Sequence, residues 1–237
     1  MKIDNLYKRC YLNKKGWIDG TSQFKKMVES HLNNELEILD LGAGSGDSQH
    51  KYKGCVRKVV GVDISEEVLT NSNLDEAYQC CVTNMPFEDN RFDVAFADYL
   101  IEHLGEPTKA AREIHRVLKP GGVLIIRTPN LRHYVVLISR ITPHWFHTFL
   151  CKKLQSKHKE DTFETYYRCN TPHRIKQVFE KYGFTLKHFE MVEKEPSYLM
   201  KWCWTFVIGL FYERLVNSAK WFEGFRANIF AVFRKPS

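Results

Sequence analysis

Residues 38–46 read Ile38-Leu39-Asp40-Leu41-Gly42-Ala43-Gly44-Ser45-Gly46. A short apolar strand runs directly into three glycines spaced two apart. Residues without a Cβ let the chain turn tightly and bring its backbone against a ligand. Ser45 or Gly46 is expected to open a helix whose free N–H groups point at the same spot. The spacing is GxGxG, one residue short of the GxGxxG that cradles a dinucleotide pyrophosphate.

Outward from this turn, strand and helix signals alternate, as in a parallel sheet covered on both faces. The expected strands are Leu36–Leu41, Lys58–Val62, Ala77–Val82, Phe92–Ala97 and Val123–Thr128, all apolar enough to be buried on both sides. A helix is expected over Glu106–Leu118, with Pro107 in its first turn and Pro120-Gly121-Gly122 after its end. Another starts at the Thr171-Pro172 cap and stops at Gly183. Phe184–Val192 and Ala227–Phe233 close the series as strands. A helix over Ser22–His31 precedes the first strand. The segments 130–170 and 195–224 are too long for plain loops and are expected to carry helices of their own.

The 237 residues suffice for one large α/β domain. The polar start after Met1 speaks against a secretory signal. The seven cysteines show no CxxC pair, and adjacent Cys80 and Cys81 suit no structural bridge; buried reduced thiols in a cytoplasmic protein are expected. Residues 1–150 hold 19 Lys/Arg and 19 Asp/Glu, and residues 151–237 hold 16 and 9, so the whole net charge of +7 lies in the last third. That asymmetry suits an anionic surface or substrate, or simply a solvated face.

Ligands of open α/β sheets lie beyond the carboxyl ends of the strands. Asp40 sits there, two residues before Gly42. Asp63 ends the second strand, where its carboxylate can accept both hydroxyls of a ribose. Asn84 and Met85 follow the third strand, suited to an adenine edge and face. Asp98 and Tyr99 end the fourth, under the reacting end of a cofactor.

In these residues the chain resembles the class I S-adenosylmethionine-dependent methyltransferases, on the branch of ubiquinone- and menaquinone-biosynthesis enzymes. The matching pieces are Ile38–Gly46, Gly61-Val62-Asp63-Ile64-Ser65, Met85-Pro86-Phe87, Phe92-Asp93-Val94, Glu102-His103-Leu104 and Arg116-Val117-Leu118-Lys119-Pro120-Gly121-Gly122. The resemblance implies a Rossmann-like, doubly wound α/β fold with a seven-stranded sheet, mostly parallel with an antiparallel last strand. It implies one methyltransferase domain over 1–237, with a helical extension at 1–35 and inserts at 130–170 and 195–224 capping the acceptor site. S-adenosylmethionine is the implied cofactor. Gly42, Ala43, Gly44 and Gly46 would shape its methionine end and Asp40 would act near its amino group. Asp63 would take the ribose hydroxyls, Ile64 would pack on adenine, and Asn84 and Met85 would flank the base. S-adenosylmethionine carries a sulfonium and an ammonium and no phosphate, which suits Asp40, Asp63 and Asp98.

Methyl transfer from a sulfonium needs alignment and exclusion of water. A base is needed only where the acceptor loses a proton, and His103 is the candidate. The histidines of the first insert (His133, His144, His147, His158) and His173 lack a completing ligand set, so no metal is expected. Thr165-Tyr166-Tyr167-Arg168 is a candidate lining of the acceptor pocket. The aromatic, apolar run within 198–225 is too short to span a bilayer. It suits an interfacial helix on an anionic membrane surface, a lid or a dimer contact. A cytoplasmic protein, peripheral to the inner face of a membrane, acting on a small-molecule or lipid-linked acceptor is the resulting expectation. A nucleic-acid methyltransferase lacks support from any base-flipping or RNA-binding motif. A non-catalytic scaffold is the remaining alternative.

Overall fold

The structure is a computed structural model and describes residues 3–46, 50–141 and 163–237. Its contacts group the chain into two compact units. One comprises Met1–Gln23, Pro129–Glu164 and Met191–Asn228; the other comprises Phe24–Thr128, Thr165–Glu190 and Ile229–Ser237.

A seven-stranded sheet forms from β1 (Glu37–Leu41), β2 (Lys58–Asp63), β3 (Glu76–Gln79), β4 (Phe92–Asp98), β5 (Leu118–Pro129), β6 (Thr185–Val192) and β7 (Asn228–Arg234), in the order β3-β2-β1-β4-β5-β7-β6. β1 pairs in parallel with β2 and β4, β2 with β3, and β4 with β5. β7 runs against β5: the amide of Gly121 meets the carbonyl of Lys235, and farther along the amide of Asn130 meets Ala227. The chain leaves β1 toward β2 on one side and returns to β4 on the other, so the switch of direction lies between β1 and β4.

The central strands are buried because both faces are covered. Ile38, Leu39, Leu41, Val60, Val62, Ala95, Phe96 and Ala97 are solvent-free. The helices on this unit are α2 (Gly20–Glu29), α3 (Pro107–Val117) and the helix Pro172–Lys181. In α3, Ala110, Ala111, Ile114 and Val117 form the buried stripe. Thr171 caps the Pro172 helix through its side chain to the Arg174 amide, 3.3 Å. α2 begins two residues earlier than Ser22, because Asp19 rather than Ser22 caps it: its carboxylate takes the Ser22 amide at 2.8 Å and the hydroxyl at 2.7 Å.

Three expectations are corrected. No helix opens at Ser45 or Gly46 among the described residues: 50–57 form turns and one bridge between Lys53 and Val56. His50, Tyr52 and Val56 are the buried positions there, and Gly54, between the last two, takes φ +83°, outside the helical region. β3 ends at Gln79, and Cys80–Val82 already turn away. Of the described cysteines Cys169 alone is buried, while Cys55 and Cys81 are exposed thiols.

The other unit gathers the N-terminal segment and much of both long segments. Its elements are α1 (Ile3–Tyr7), continued by a π-helical turn to Leu12, α4 (Tyr134–Ile141) and a helix over Cys203–Ser218, which is α6 once Pro172–Lys181 is numbered α5. Tyr7, Tyr11 and Trp17 pack ring to ring at 5.1–6.0 Å. Tyr11 donates to Glu213 at 3.0 Å and Tyr7 donates to Glu195. Residues 142–162, with His144, His147 and His158, lie outside the described residues. No described helix is long and apolar enough to cross a membrane.

Glu193 is buried in this unit, accepts the Ala227 amide at 2.7 Å and lies 3.5 Å from the His133 ring. Burial, reinforced by the charges of Glu213 and Glu195, pushes its carboxyl up to about 8, and burial pushes His133 down to about 4. The folded chain keeps a proton on Glu193 that the unfolded chain releases above about pH 4.5. This contribution is therefore full below that pH and is lost as pH rises through about 8. Glu193→Gln keeps the acceptor and removes the titration. We expect it to raise stability by about 1–2 kcal/mol at neutral pH and to flatten the decline of Tm between mildly acidic and mildly alkaline buffers. An unchanged Tm–pH slope would contradict the assignment.

Candidate functional site

The site forms at the carboxyl ends of β1, β2 and β4, within the unit that holds the central strands. Gly42 and Ala43 donate their amides to the Val62 carbonyl at 2.8 and 3.1 Å, which folds the turn over the end of β2. Gly42, Gly44 and Gly46 all have positive φ, at +79°, +51° and +88°. A Cβ on Gly46 would sit 2.3 Å from the Asn71 side-chain oxygen, so this position excludes any side chain. A Cβ on Gly44 would meet nothing within 4 Å. The turn thus lies against open space there, as a backbone cradle for a ligand does.

Two asparagines hold the turn. Asn71 donates to the carbonyls of Ala43 and Gly44 at 3.1 and 3.2 Å, and Asn73 donates to that of Gly46 at 2.7 Å. Asp63 completes the clamp: one carboxylate oxygen accepts the Gly44 amide at 3.0 Å and the other accepts the Ser65 amide at 2.8 Å. Each oxygen retains a second lone pair for a ligand hydroxyl. Next to it Ile64 is 56% exposed, an apolar side chain left uncovered beside a carboxylate.

Asp40 lies behind the turn and is buried. Burial, together with the charges of Asp98 and Asp63, holds its carboxyl well above the usual range. A cationic ligand group would reverse that shift by favouring the carboxylate. Asp98 is engaged differently. Arg127 clamps both of its oxygens, one through Nε and one through a terminal nitrogen, and His50 Nε2 lies 2.6 Å from the oxygen that takes the terminal nitrogen. Burial raises its pKa, but the His50 and Arg127 hydrogen bonds outweigh that and leave it below the usual range. The Arg127 guanidinium in turn lies 4.5 Å from the ring centre of Tyr99 and 5.1 Å from that of Phe24. Tyr99 has φ +57°, a left-handed conformation rare for an aromatic residue. Its amide is fixed by the Arg127 carbonyl at 2.9 Å. Strain of this kind persists where surrounding groups enforce it.

The loop after β3 is pinned from α3. Glu113 accepts the Met85 amide at 2.8 Å, and Arg116 donates to the carbonyls of Phe87 and Met85 at 2.7 and 3.2 Å. Met85 is buried and Asn84 is exposed. His103 ends the short helix Ile101–His103 after β4 and is half-buried. The adjacent Glu102 ties Thr165–Arg168 to this end: its carbonyl accepts the amides of Tyr166 and Tyr167 at 2.8 and 3.0 Å. Its buried carboxylate accepts the Thr128 hydroxyl at 3.0 Å. Among the described residues no group of three His, Cys, Asp or Glu side chains is placed to hold a metal ion.

The structure therefore brings Asp40, Gly42–Gly46, Asp63, Ile64, Asp98 and Tyr99 to one end of the central strands. His50, Asn71, Asn73 and Arg127 are absent from the sequence reading, and Glu102 enters it only within a matching piece, with no role. Their partners lie 26–48 residues away for His50, Asn71, Asn73, Glu102 and Arg127, beyond any local pattern.

Residues 39–126 match the family described as "Methyltransferase domain". The demethylmenaquinone methyltransferase of Chlorobaculum parvum is 29% identical over 195 residues, covering 74% of this chain and 76% of that protein. The sterol 4-C-methyltransferase of Caenorhabditis elegans is 32% identical over 117 residues, covering 43% of this chain and 35% of that protein. The chain spans 35–49% of the length of several curated relatives it matches. Among solved structures, a methyltransferase from Bacillus halodurans C-125 superposes with a TM-score of 0.58 at 19% identity, covering 91% of this chain and all of that one. At that identity the superposition establishes the fold alone.

Proposed function

We propose that this chain, which belongs to the class I S-adenosylmethionine-dependent methyltransferases, transfers a methyl group to a small-molecule acceptor, with a lipid-linked one as its narrower reading. One observation carries the cofactor half. An Asp63 carboxylate with lone pairs to spare ends β2 beside a glycine turn whose Gly44 faces open space.

The donor set fits S-adenosylmethionine. When bound, the cofactor supplies a methyl group on a sulfonium, already activated toward in-line displacement. Asp63 accepts the ribose hydroxyls. Ile64 offers apolar surface to the base, and the Met85 loop is held rigid for it by Glu113 and Arg116. Asp40 favours a cation, and the glycine turn lets the backbone approach without side chains in the way. Asp98, held by Arg127 and His50, acts as the fixed support of Tyr99 rather than as a free ligand carboxylate. His103, on the segment anchored through Glu102, remains the candidate base when the acceptor is a hydroxyl.

The acceptor class rests on relatives named for quinone, sterol and acyl-carrier-protein methylation. The test is a screen of quinol, phenol, sterol and carboxylate acceptors read by S-adenosylhomocysteine release. Turnover with one class and loss of base-dependent rate in His103→Gln with a hydroxyl acceptor are expected. S-adenosylmethionine binding without turnover on any class would favour a non-catalytic role.

A further inference from the structure

We propose that the outer face of α6 and the short helix after it form a membrane-docking surface that inserts into the interface of an anionic bilayer leaflet. The helix α6 divides cleanly. Thr205, Phe206, Gly209, Glu213 and Val216 are buried. On the other side Trp204 is 64% exposed, Val207 52%, Ile208 57%, Phe211 72% and Leu215 41%. Positions 204, 208, 211 and 215 recur at helical spacing, so they make one continuous stripe about 16 Å long.

The stripe does not end with the helix. The 3-10 turn Lys220–Phe225 adds Trp221, the most exposed large apolar residue described, with Phe222 and Phe225. Tyr212 of α6 donates to the Phe225 carbonyl at 2.6 Å, which fixes this turn to the helix. A soluble surface seldom leaves so many large apolar side chains contiguous. Sixteen helical residues reach about 24 Å, short of the roughly 30 Å hydrocarbon core, so the surface lies in the interface and does not cross it.

Charge selects the occupant. Lys201, Arg214 and Lys220 border the stripe and are exposed. Of the two acidic residues between Ser197 and Arg226, Glu213 is buried, accepts from Tyr11 and Asn217 and lies 3.5 Å from Arg214, and Glu223 is half-buried, so Lys201 and Lys220 carry the border's net charge. The surface is therefore apolar with a cationic border. A second copy of the chain would bring like charges together. Anionic headgroups match the border, and tryptophan favours the headgroup level where one end of its ring is wet. The whole +7 net charge also falls in residues 151–237.

The proposal does not rest on methyl transfer, and the same samples can be checked for S-adenosylmethionine binding. The experiment is co-sedimentation of the full chain with phosphatidylcholine vesicles, with and without phosphatidylglycerol, at low and high salt. Binding to the anionic vesicles, weakened by salt, and a blue shift of tryptophan emission are expected. The double variant Trp204→Ser/Phe211→Ser should bind at least about tenfold more weakly, with helical circular dichroism and cofactor affinity unchanged. Lys201→Glu/Lys220→Glu should lose the salt-sensitive part. Failure of the wild-type chain to sediment at low salt overturns the proposal, as does undiminished binding by the double variant. A stable dimer that the double variant converts to monomer overturns it in favour of a second copy.

Discussion

Asp63→Ala is expected to lose about 100-fold in affinity for S-adenosylmethionine, with the chain still folded. A carboxylate accepting two ribose hydroxyls makes hydrogen bonds to a charged group worth about 1.5–3 kcal/mol each, and every 1.4 kcal/mol is tenfold. The variant also frees the Gly44 and Ser65 amides that the carboxylate holds at 3.0 and 2.8 Å, so the turn loses one of its two clamps. The asparagine clamp from Asn71 and Asn73 remains and keeps the turn near its place. Asp63→Asn retains one acceptor oxygen and should fall between the two. Calorimetric titration reads all three. Affinity equal to wild type in Asp63→Ala would remove the carboxylate from the site.

Arg127→Ala should destabilise the fold by about 3–5 kcal/mol, a large share of a domain's stability. The Arg127 side chain is 5% exposed and its guanidinium is clamped on Asp98. Its removal leaves a sheltered carboxylate with His50 as its remaining named partner, and takes away the cation packed against Phe24 and Tyr99. Removing both charges together, as Arg127→Met/Asp98→Asn, should recover most of the loss, since what costs is an unpaired buried charge. The sign with pH follows from the depressed pKa of Asp98. Its contribution is present above the unfolded carboxylate range and is lost as pH falls through the lower folded value. Arg127→Ala should therefore show a shallower acid decline in urea denaturation. Equal stability of variant and wild type would mean that the pair carries nothing.

The strands and the glycine turn were legible because their signals are local. Val59-Val60-Gly61-Val62-Asp63 announces both a doubly buried strand and the acid at its end, and every expected strand exists with its edges moved by a few residues. The start of α2 at Gly20, behind its Asp19 cap, instead of at Ser22 is a shift of that sort. The helix expected to open at Ser45 or Gly46, which the described residues do not show, is a different matter. The general strand–turn–helix pattern suggested it, but residues 50–57 form turns, with Gly54 in a left-handed conformation that no helix continues through. The groups that do the holding were illegible for another reason. Asn71 is an ordinary loop asparagine until the turn's carbonyls lie within 3.2 Å of it. Arg127 reads as a charge at the end of an apolar strand until Asp98 and Tyr99 are seen beside it. Such roles are made by the sheet order, and one-dimensional spacing does not carry it. The first 12 residues fall within the helical extension expected over 1–35, but nothing local in them marks the bounds of α1 or its π turn, whose Tyr11 is anchored from Glu213 in a distant segment.

The most direct test of the central claim is a calorimetric titration of the wild-type chain with S-adenosylmethionine, S-adenosylhomocysteine and NAD under identical conditions. Saturable binding of the two adenosyl ligands at one site per chain, with no measurable heat from NAD, is the predicted result. Preference for NAD, or no binding of either adenosyl ligand by the folded chain, would contradict it.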